Sequence, residues 1–217
     1  MIIKSKPLSP FLLSCADLLF RCTLWRSFNK MIINEAEIKP GHSYILMCNH
    51  FSFLDGFLAF YLCSRVIRKK DGMKRLYIMS LKKQMEKNKW LRYCGSFSVE
   101  PGKLSIHESI DYAAEILSVP GNLLLFYPQA KLETCHIRYI KFEDGLAHIV
   151  PKIKGNCQLI WTSNLIDYFE SVKPSVYFNM VDCGTNHDFD FEELKEKVNG
   201  HHLQAIKNNI RYTREPV

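Results

Sequence analysis

The sequence predicts a single α/β domain with a mixed, mostly parallel sheet, flanked by helices and preceded by an amphipathic helix at the N-terminus. Short apolar runs typical of strands alternate with helical patterns, and this alternation implies crossover connections between parallel strands. The 217 residues match one large domain, and no repeat or linker divides them. The predicted strands are 43–48, 75–79, 96–99, 122–127, 157–162 and 175–181. The predicted helices cover about residues 54–68, 82–93, 105–118, 143–153 and 189–211, and the third begins with a capping-box pattern, Ser105 followed by Glu108.

The composition narrows the class of protein. A content of 47% hydrophobic and 24% charged residues is ordinary for a globular domain, and it excludes disordered, collagen-like and multi-span membrane proteins. Lys and Arg outnumber Asp and Glu by 29 to 22, and the net charge of +7 suits a phosphate group, nucleic acid or an anionic bilayer. No motif supports nucleic acid, which is not expected as a partner. Eight scattered cysteines indicate reduced thiols, without a disulfide framework or a metal site. His201 and His202 are expected on an exposed helix face.

The first predicted helix has a clear start and a wide apolar face. Ser9 supplies a capping hydroxyl, Pro10 suits the first turn, and the helical pattern continues to about Phe28. Asp17 and Arg21 can pair on its polar stripe at an i,i+4 spacing. The apolar face has two interpretations: it packs against the domain, or it lies in a membrane interface. No apolar run reaches the length of a membrane-spanning helix.

A basic segment is a second candidate for contact with a membrane. Five basic residues between 82 and 92 are interleaved with apolar ones such as Met85 and Trp90. They form either an ordinary solvated helix face or a face for an anionic surface, where each basic residue near lipid contributes roughly 1 kcal/mol. The predicted organisation is an amphipathic membrane-associating helix over residues 1–30, followed by an α/β domain over residues 31–217.

The sharpest local feature is a histidine followed by an aspartate at the end of a predicted strand. Asn49 and His50 follow the apolar strand 43–48, and Asp55 precedes a helix. On a regular helix the His50 and Asp55 side chains would point apart, so they meet only if the chain turns between them. An aspartate bonded to one imidazole nitrogen fixes the tautomer, and the other nitrogen can then take a proton from a hydroxyl. The alternative is an ordinary turn in which Asp55 caps its helix. Ligands, however, bind beyond the carboxyl ends of parallel strands, where this pair lies.

Four sequence blocks occur in an order that is typical of one enzyme family. They are Asn49-His50-x-x-x-x-Asp55, Gly95-Ser96-Phe97-Ser98-Val99, Leu124-Leu125-Phe126-Tyr127-Pro128-Gln129-Ala130-Lys131 and Phe142-x-x-Gly145-Leu146-Ala147. This set resembles the signature blocks of the glycerolipid acyltransferases, the group typified by lysophosphatidic acid acyltransferase, and it covers about residues 25–165. The resemblance implies an acyltransferase-like α/β domain that transfers an acyl group to a hydroxyl.

The chain departs from the family pattern in two of these blocks. The family carries arginines there that hold the phosphate of a glycerol-phosphate acceptor, whereas this chain has Glu100 and Leu132 in the corresponding stretches. Gln129 and Ala130 stand where the family has glutamate and glycine. Nearby lysines can supply charge but not the bidentate geometry of arginine. The acyl-transfer half of the site is therefore expected to be retained and the phosphate half to be altered.

The resemblance and these departures together predict an O-acyltransferase for a lipid-like acceptor that is not glycerol phosphate, such as a lyso-aminolipid or a hydroxylated polyketide or aryl-polyene acid. The donor is an acyl thioester on CoA or acyl carrier protein, which is a substrate, and no cofactor is expected. His50 is the expected general base and Asp55 orients it. The expected substrate-binding residues are Asn49, Ser52, Gly95, Lys103, Tyr127, Pro128, Gln129 and Lys131.

Two other functions and a location accompany this prediction. The alternatives are a lysophosphatidic acid acyltransferase proper, with lysines holding the phosphate, and a catalytically silent relative that binds lipid. The presence of both His50 and Asp55 disfavours the silent relative, whereas the altered block around Gln129, Ala130 and Leu132 favours it. The resemblance implies a peripheral protein on the cytoplasmic face of the inner or plasma membrane.

Overall fold

In the computed structural model, which describes residues 2–71, 73–168 and 171–209, a seven-stranded sheet lies between two layers of helices. The strands are β1 (Met31–Asn34), β2 (Ser43–Cys48), β3 (Arg75–Leu81), β4 (Ser96–Val99), β5 (Asn122–Phe126), β6 (Cys157–Asp167) and β7 (Ser175–Thr185). The helices are α1 (Pro10–Ser27), α2 (Asp55–Leu62), α3 (Arg68–Asp71), α4 (Lys82–Lys87), α5 (Ser105–Leu117), α6 (Gly145–Ile149) and α7 (Phe191–Asn209). A π turn, Cys63–Ile67, joins α2 to α3, and 3₁₀ turns cover Lys89–Cys94, Val150–Lys152 and Asn186–Asp188.

The sheet is mixed and mostly parallel, as the sequence predicts. Its strand order is β1-β7-β6-β2-β5-β3-β4, and each neighbouring pair is parallel except β6 with β7. The connections between consecutive strands from β2 to β6 contain the helices α2 to α6. Two features were not predicted: the short edge strand β1, and the extension of β6 and β7 into a long antiparallel pair. The central strands β2 and β5 end at the same edge of the sheet, where Met47 lies beside Phe126.

Residues of β2 alternate between the two halves of the core. All six residues of this strand are buried, which is typical of a central parallel strand covered on both faces. Tyr44, Leu46 and Cys48 pack in the layer that contains α1 and α2, and Ile45 and Met47 pack with α5, α6 and α7. Because both faces of β2 are buried, the residues that follow it emerge at a fixed height at the edge of the sheet.

The N-terminal helix α1 joins the core along one face. Leu13 and Leu24 are buried, and the Phe20 ring contacts those of Phe57 and Phe60 on α2 at centroid distances of 5.0 and 5.4 Å. The predicted start is confirmed, because Ser9 Oγ accepts a hydrogen bond from the Leu12 N–H. The opposite face of the helix is exposed, with Phe11, Leu12, Leu18, Leu19 and Trp25 each at least 48% accessible to solvent. Across the described part of the chain, no helix combines the length and apolarity needed to cross a bilayer.

Several predicted helices are interrupted for identifiable reasons. The segment 82–93 is divided at Asn88, whose φ of −121° and ψ of 72° are not helical, into α4 and a 3₁₀ turn. In the predicted helix 143–153, α6 ends at Ile149 and a 3₁₀ turn follows, because Pro151 has no N–H to donate. The last helix is observed from Phe191 to Asn209, and the end predicted for it lies outside the described residues.

The capping box predicted for α5 is wrong. The cap position is Leu104, without a side-chain cap, and the Ser105 hydroxyl donates to Glu100 at 3.1 Å. Glu108 accepts from the Ile2 N–H instead of the start of its own helix. The pattern therefore reflects tertiary contacts rather than a local cap.

His202 is buried inside the packed face of α7, so the prediction that it is exposed is wrong. Its Nε2 donates to the Ile137 carbonyl at 2.8 Å, and its Nδ1 accepts from Ser163 Oγ at 2.9 Å. Ser163 Oγ in turn accepts from Trp161 Nε1 at 2.8 Å. Burial lowers the pKa of His202 to about 4, and the ring is therefore neutral at physiological pH. This network holds β6 and α7 to the segment that follows β5.

We expect acid to destabilise the fold through His202. Its pKa is about 4 in the folded chain against an ordinary 6.5, so the unfolded chain binds the proton first. The contribution is complete above pH 6.5 and is lost as the pH falls towards 4, by at most about 3 kcal/mol. Urea unfolding of wild type and His202→Gln across this range measures it. The unfolding free energy should differ less between the two ends of this pH range in His202→Gln than in the wild type. His107→Gln, which alters an exposed histidine, should keep the wild-type difference. A wild-type difference in His202→Gln would refute the assignment to His202.

Candidate active site

The turn after β2 brings His50 and Asp55 into direct contact. His50 Nδ1 lies 2.7 Å from Asp55 Oδ2, and the N–H groups of Phe51 and Ser52 donate to the same oxygen at 2.7 and 2.9 Å. Asp55 is also the first residue of α2, where the helix dipole favours a carboxylate. An ionised Asp55 accepts the Nδ1 proton of His50, and the Nε2 lone pair is then available as a base.

The two members of this dyad differ in their exposure. The side chain of Asp55 is 1% exposed and that of His50 is 28% exposed. Nε2 of His50 makes no hydrogen bond with the described residues, and the second Asp55 oxygen likewise has no partner among them. The carboxylate is therefore shielded from water, whereas the imidazole of His50 is partly accessible to solvent.

Tyr127 supports the imidazole from one side. Its ring stacks on that of His50, with centroids 4.4 Å apart and an angle of 28° between the planes. Its hydroxyl is buried without a hydrogen-bond partner among the described residues, and burial raises the pKa of Tyr127 well above its ordinary value. Tyr127 is therefore a neutral stacking partner that limits rotation of His50, a contact that its expected role in substrate binding did not include.

The segment after β5 clamps the backbone of His50. Gln129 Oε1 accepts from the His50 N–H, and the Glu133 N–H donates to the His50 carbonyl, both at 2.8 Å. The Gln129 amide also donates to Glu133 Oε2 at 2.5 Å, which closes the clamp. Ala130 within this turn has a φ of 53°, a left-handed conformation that costs a non-glycine residue roughly 1–2 kcal/mol. The glycine that the family has at this position suits the same turn.

These contacts change the interpretation of Gln129. It is 2% exposed, and both ends of its amide are bonded within the chain, so it holds His50 rather than presenting a free amide to a headgroup. Pro128 is also buried, and its carbonyl accepts from the Glu143 N–H at 2.9 Å. Glu133 was not identified from the sequence, because its contact with His50 depends on the pairing of β2 with β5.

Asn49 locks the end of β2 to β6. Its amide donates to the Asn164 carbonyl at 2.9 Å and accepts from the Asn164 N–H at 2.7 Å. Thr162 Oγ1 bonds to Asn164 Oδ1 at 2.8 Å. Asn49 is 1% exposed, so its contacts are those of a structural residue behind the dyad. No sequence pattern points to Asn164, which lies in the part of β6 beyond the predicted strand 157–162.

Of the two other predicted substrate-binding residues, Ser52 contacts the dyad and Gly95 does not. The Ser52 N–H bonds to Asp55, and its hydroxyl accepts from the Leu54 N–H at 3.1 Å. Gly95 precedes β4, at the opposite end of that strand from the edge where His50 lies, and its φ is 89°. A Cβ on Gly95 would lie 2.1 Å from the Leu76 carbonyl oxygen, so close packing against β3 explains the glycine without a substrate.

The lysines at this edge of the sheet are paired with carboxylates. Lys82 and Lys103 lie 2.9 and 3.6 Å from Glu100, and Lys131 lies 3.1 Å from Glu133. The hydrogen bond from Lys82 lowers the pKa of Glu100, and the hydrogen bond from Gln129 together with the one from Lys131 lowers that of Glu133. Within the described residues, no three His, Cys, Asp or Glu side chains converge to hold a metal ion.

Comparison with known proteins places the fold. No protein-family model matches the chain, and no curated protein matches it significantly. Among solved structures, the 1-acyl-sn-glycerophosphate (LPA) acyltransferase PlsC from Thermotoga maritima is similar to it, with a TM-score of 0.61 and 14% sequence identity. The match covers 93% of this chain and 82% of that chain. The chain therefore has the fold of this acyltransferase, and the resemblance expected from the four sequence blocks is confirmed at the level of the fold.

Proposed function

We propose that the protein is an O-acyltransferase that moves a fatty-acyl group from a thioester to a hydroxyl of a lipid-like acceptor. The observation that carries this proposal is the His50–Asp55 dyad, in which Nδ1 is bonded at 2.7 Å to a buried carboxylate and Nε2 is open. The dyad lies at the carboxyl end of β2, where ligands bind in parallel sheets. The fold shared with PlsC is independent support, since that protein is an acyltransferase.

The proposed reaction uses His50 as a general base and then as a general acid. Nε2 takes the proton of the acceptor hydroxyl as its oxygen attacks the thioester carbonyl, and Asp55 stabilises the imidazolium that forms. The tetrahedral intermediate collapses by breaking the carbon–sulfur bond, and Nε2 returns the proton to the departing thiolate. The products are an ester and the free thiol of CoA or acyl carrier protein.

The acceptor that we propose lacks a phosphate beside the reacting hydroxyl. Lys82, Lys103 and Lys131 lie near the altered blocks, and each is already paired with Glu100 or Glu133. A phosphate would have to displace these carboxylates, and lysine gives it no bidentate contact in return. These pairings favour a lyso-aminolipid or a hydroxylated acid over lysophosphatidic acid.

We also propose that the exposed face of α1 lies on a membrane. Phe53, in the loop between His50 and Asp55, is 79% exposed, and its ring lies 6.2 Å from Phe57, which contacts Phe20 of α1. An apolar surface therefore runs from α1 to the dyad. A peripheral position on the cytoplasmic face of the membrane would let a lipid acceptor reach His50 without leaving the bilayer surface.

The dyad predicts the outcome of two substitutions. His50→Ala should lower turnover of an acyl-CoA with a hydroxyl acceptor by on the order of 10²–10⁴-fold, because no group takes the proton. Asp55→Asn should leave a folded but strongly impaired enzyme, since the correct tautomer and the imidazolium are no longer stabilised. Steady-state rates and thermal unfolding of the purified variants measure both effects, with His107→Ala as a control at an exposed histidine. Near-wild-type turnover by His50→Ala would exclude the mechanism, whereas no turnover by the wild type would favour a catalytically silent lipid-binding relative.

The paired lysines predict acceptor choice. When an N-(3-hydroxyacyl) amino acid and lysophosphatidic acid compete at equal concentration for one labelled acyl-CoA, we expect the ester of the amino-acid lipid to form faster. Product ratios by mass spectrometry measure the preference. Glu100→Gln releases Lys82 and Lys103, so it should shift the ratio towards lysophosphatidic acid, whereas Glu86→Gln in α4 should not. A several-fold preference of the wild type for lysophosphatidic acid would instead establish the phosphate-binding alternative.

The exposed face of α1 predicts the outcome of vesicle binding. Replacing Leu19 and Trp25 with Ser should weaken sedimentation with phosphatidylglycerol vesicles by on the order of tenfold per side chain, because apolar area is no longer buried. Unfolding free energy should change little, since both side chains are exposed. The matched control replaces Leu104 and Val119, which are exposed at the two ends of α5 on the opposite face of the sheet. Equal losses in the two pairs would show that α1 is not the membrane face.

A further inference from the structure

Two exposed cysteines lie on the N-terminal helix α1. All eight cysteines fall within the described residues, and the exposed ones are Cys15, Cys22 and Cys94. Cys15 and Cys22 are both in α1 and are seven residues apart, so they point within about 20° of each other around the helix axis. Neither the acyl transfer proposed for His50 nor the packing of α1 on the domain uses these two thiols.

The two thiols belong to one apolar stripe along α1. The members of this stripe follow one another at spacings of four and three residues, which places them in one row on a helix surface. They are Phe11, Cys15, Leu18, Cys22 and Trp25. The three apolar members, Phe11, Leu18 and Trp25, are 74%, 60% and 79% exposed, and the two thiols alternate with them. A surface that contacted these apolar side chains would therefore contact both thiols.

The packed face of α1 lies on the other side of the helix axis. Leu13 and Leu24 are buried in the core layer that contains α2, and Phe20 packs against the same layer. At about 100° per residue, these three side chains point roughly opposite to the stripe. The two cysteines therefore lie near the centre of the outward face, which is the face proposed to contact the membrane.

The separation of the two thiols restricts their chemistry. Seven residues of helix place the Cα atoms of Cys15 and Cys22 about 10 Å apart. A disulfide requires Cα atoms within about 7 Å, so the two cannot be joined to each other within α1. The two sulfur atoms are also too far apart to bind one zinc ion, since each would have to lie about 2.3 Å from the metal. Each thiol is therefore available for a separate covalent modification, and cysteines on amphipathic helices are acceptors for S-acylation.

The flanks of the stripe suit a helix that lies in the membrane interface. Arg21 and Arg26 are exposed, and they point to the two sides of the row that contains Cys22. Cations at the borders of an apolar face can contact anionic headgroups while the centre of the face enters the acyl-chain boundary. An acyl group on Cys15 or Cys22 would then extend from the centre of this face into the hydrocarbon. One acyl chain anchors a protein only marginally, whereas two give a stable anchor.

We propose that Cys15 and Cys22 are S-acylation sites whose acyl chains anchor the protein to the membrane. This proposal rests on the membrane position proposed for α1 and does not involve the His50–Asp55 dyad. In the modification, the sulfur of each cysteine forms a bond to the acyl carbon of a long-chain acyl-CoA, and the bond from that carbon to the CoA sulfur breaks. The proton lost by the cysteine is taken up by the departing CoA thiolate. One thioester replaces another, so no further reactant is required.

The experiment is intact-protein mass spectrometry of the reduced full chain with hexadecanoyl-CoA and phosphatidylglycerol vesicles. We expect two hexadecanoyl adducts that neutral hydroxylamine removes and that peptide mapping places on Cys15 and Cys22. Cys15→Ser and Cys22→Ser should each lose one adduct, and Cys94→Ser, at an exposed thiol outside α1, should keep both. Without vesicles the adducts should form roughly tenfold more slowly, because the bilayer concentrates the acyl-CoA at α1. An unmodified chain, equal labelling of Cys94, or equal rates with and without vesicles would overturn the proposal.

Retention on vesicles tests the anchoring role of the acyl chains. After free acyl-CoA is removed, the doubly acylated chain should bind phosphatidylglycerol vesicles on the order of 10²-fold more tightly than the unmodified chain, as sedimentation measures. Hydroxylamine should restore the weaker binding. Equal binding of the acylated and unmodified chains would overturn the anchoring role.

The His50→Ala variant separates this proposal from the proposed function. It should acquire both adducts at the wild-type rate, because the dyad takes no part in the modification. Adducts on Cys15 and Cys22 of a wild type that esterifies no acceptor would support S-acylation and refute the proposed function. Ester formation by a wild type that acquires no adduct would support the proposed function and overturn S-acylation. Thermal unfolding of each variant confirms that the compared proteins are folded.

Discussion

One carboxylate oxygen organises the loop on which the proposed chemistry depends. Asp55 Oδ2 accepts hydrogen bonds from the His50 ring and from the N–H groups of Phe51 and Ser52. These bonds close the turn between β2 and α2, and they also set the plane and tautomer of the imidazole. The same hydrogen bonds therefore form the turn and orient the imidazole of His50. An asparagine could still accept these three bonds through its amide oxygen, but it would carry no charge to stabilise an imidazolium, and its N–H groups would take the place of the oxygen that has no partner among the described residues.

The strand order supplies the remaining support for His50. β2 lies between β5 and β6, so the segments that follow these strands meet the residues after β2 on both sides. Gln129 and Glu133 bind the backbone of His50 from the β5 side, and Asn164 binds Asn49 from the β6 side. The segment around His50 is thus held from the β5 side and from the β6 side, while the His50 side chain stays 28% exposed. A rigid but accessible imidazole is what the proposed general base requires.

The sequence was sufficient for the local features and insufficient for those that depend on register. Alternating strands and helices predicted the parallel sheet, and the strand-end spacing of His50 and Asp55 predicted their contact. The amide of Gln129 was assigned to a substrate because composition does not show that its two ends are bonded within the chain. His202 was expected in solvent because a histidine pair on a polar helix gives no sign of a buried partner. Such contacts form between elements distant in sequence, and they follow from which strands become neighbours.

The residues around Gln129, which departs from the family pattern, match one another in charge and hydrogen bonding. Gln129 accepts from the His50 N–H and donates to Glu133, which a neutral amide can do and a carboxylate cannot. The glutamate that the family has at this position would stand beside Glu133, and two adjacent carboxylates repel unless one takes up a proton. Lys131 balances the single remaining charge at 3.1 Å. Gln129, Glu133 and Lys131 therefore hold the backbone of His50 with one carboxylate and one balancing cation, whereas a glutamate in place of Gln129 would add a second carboxylate.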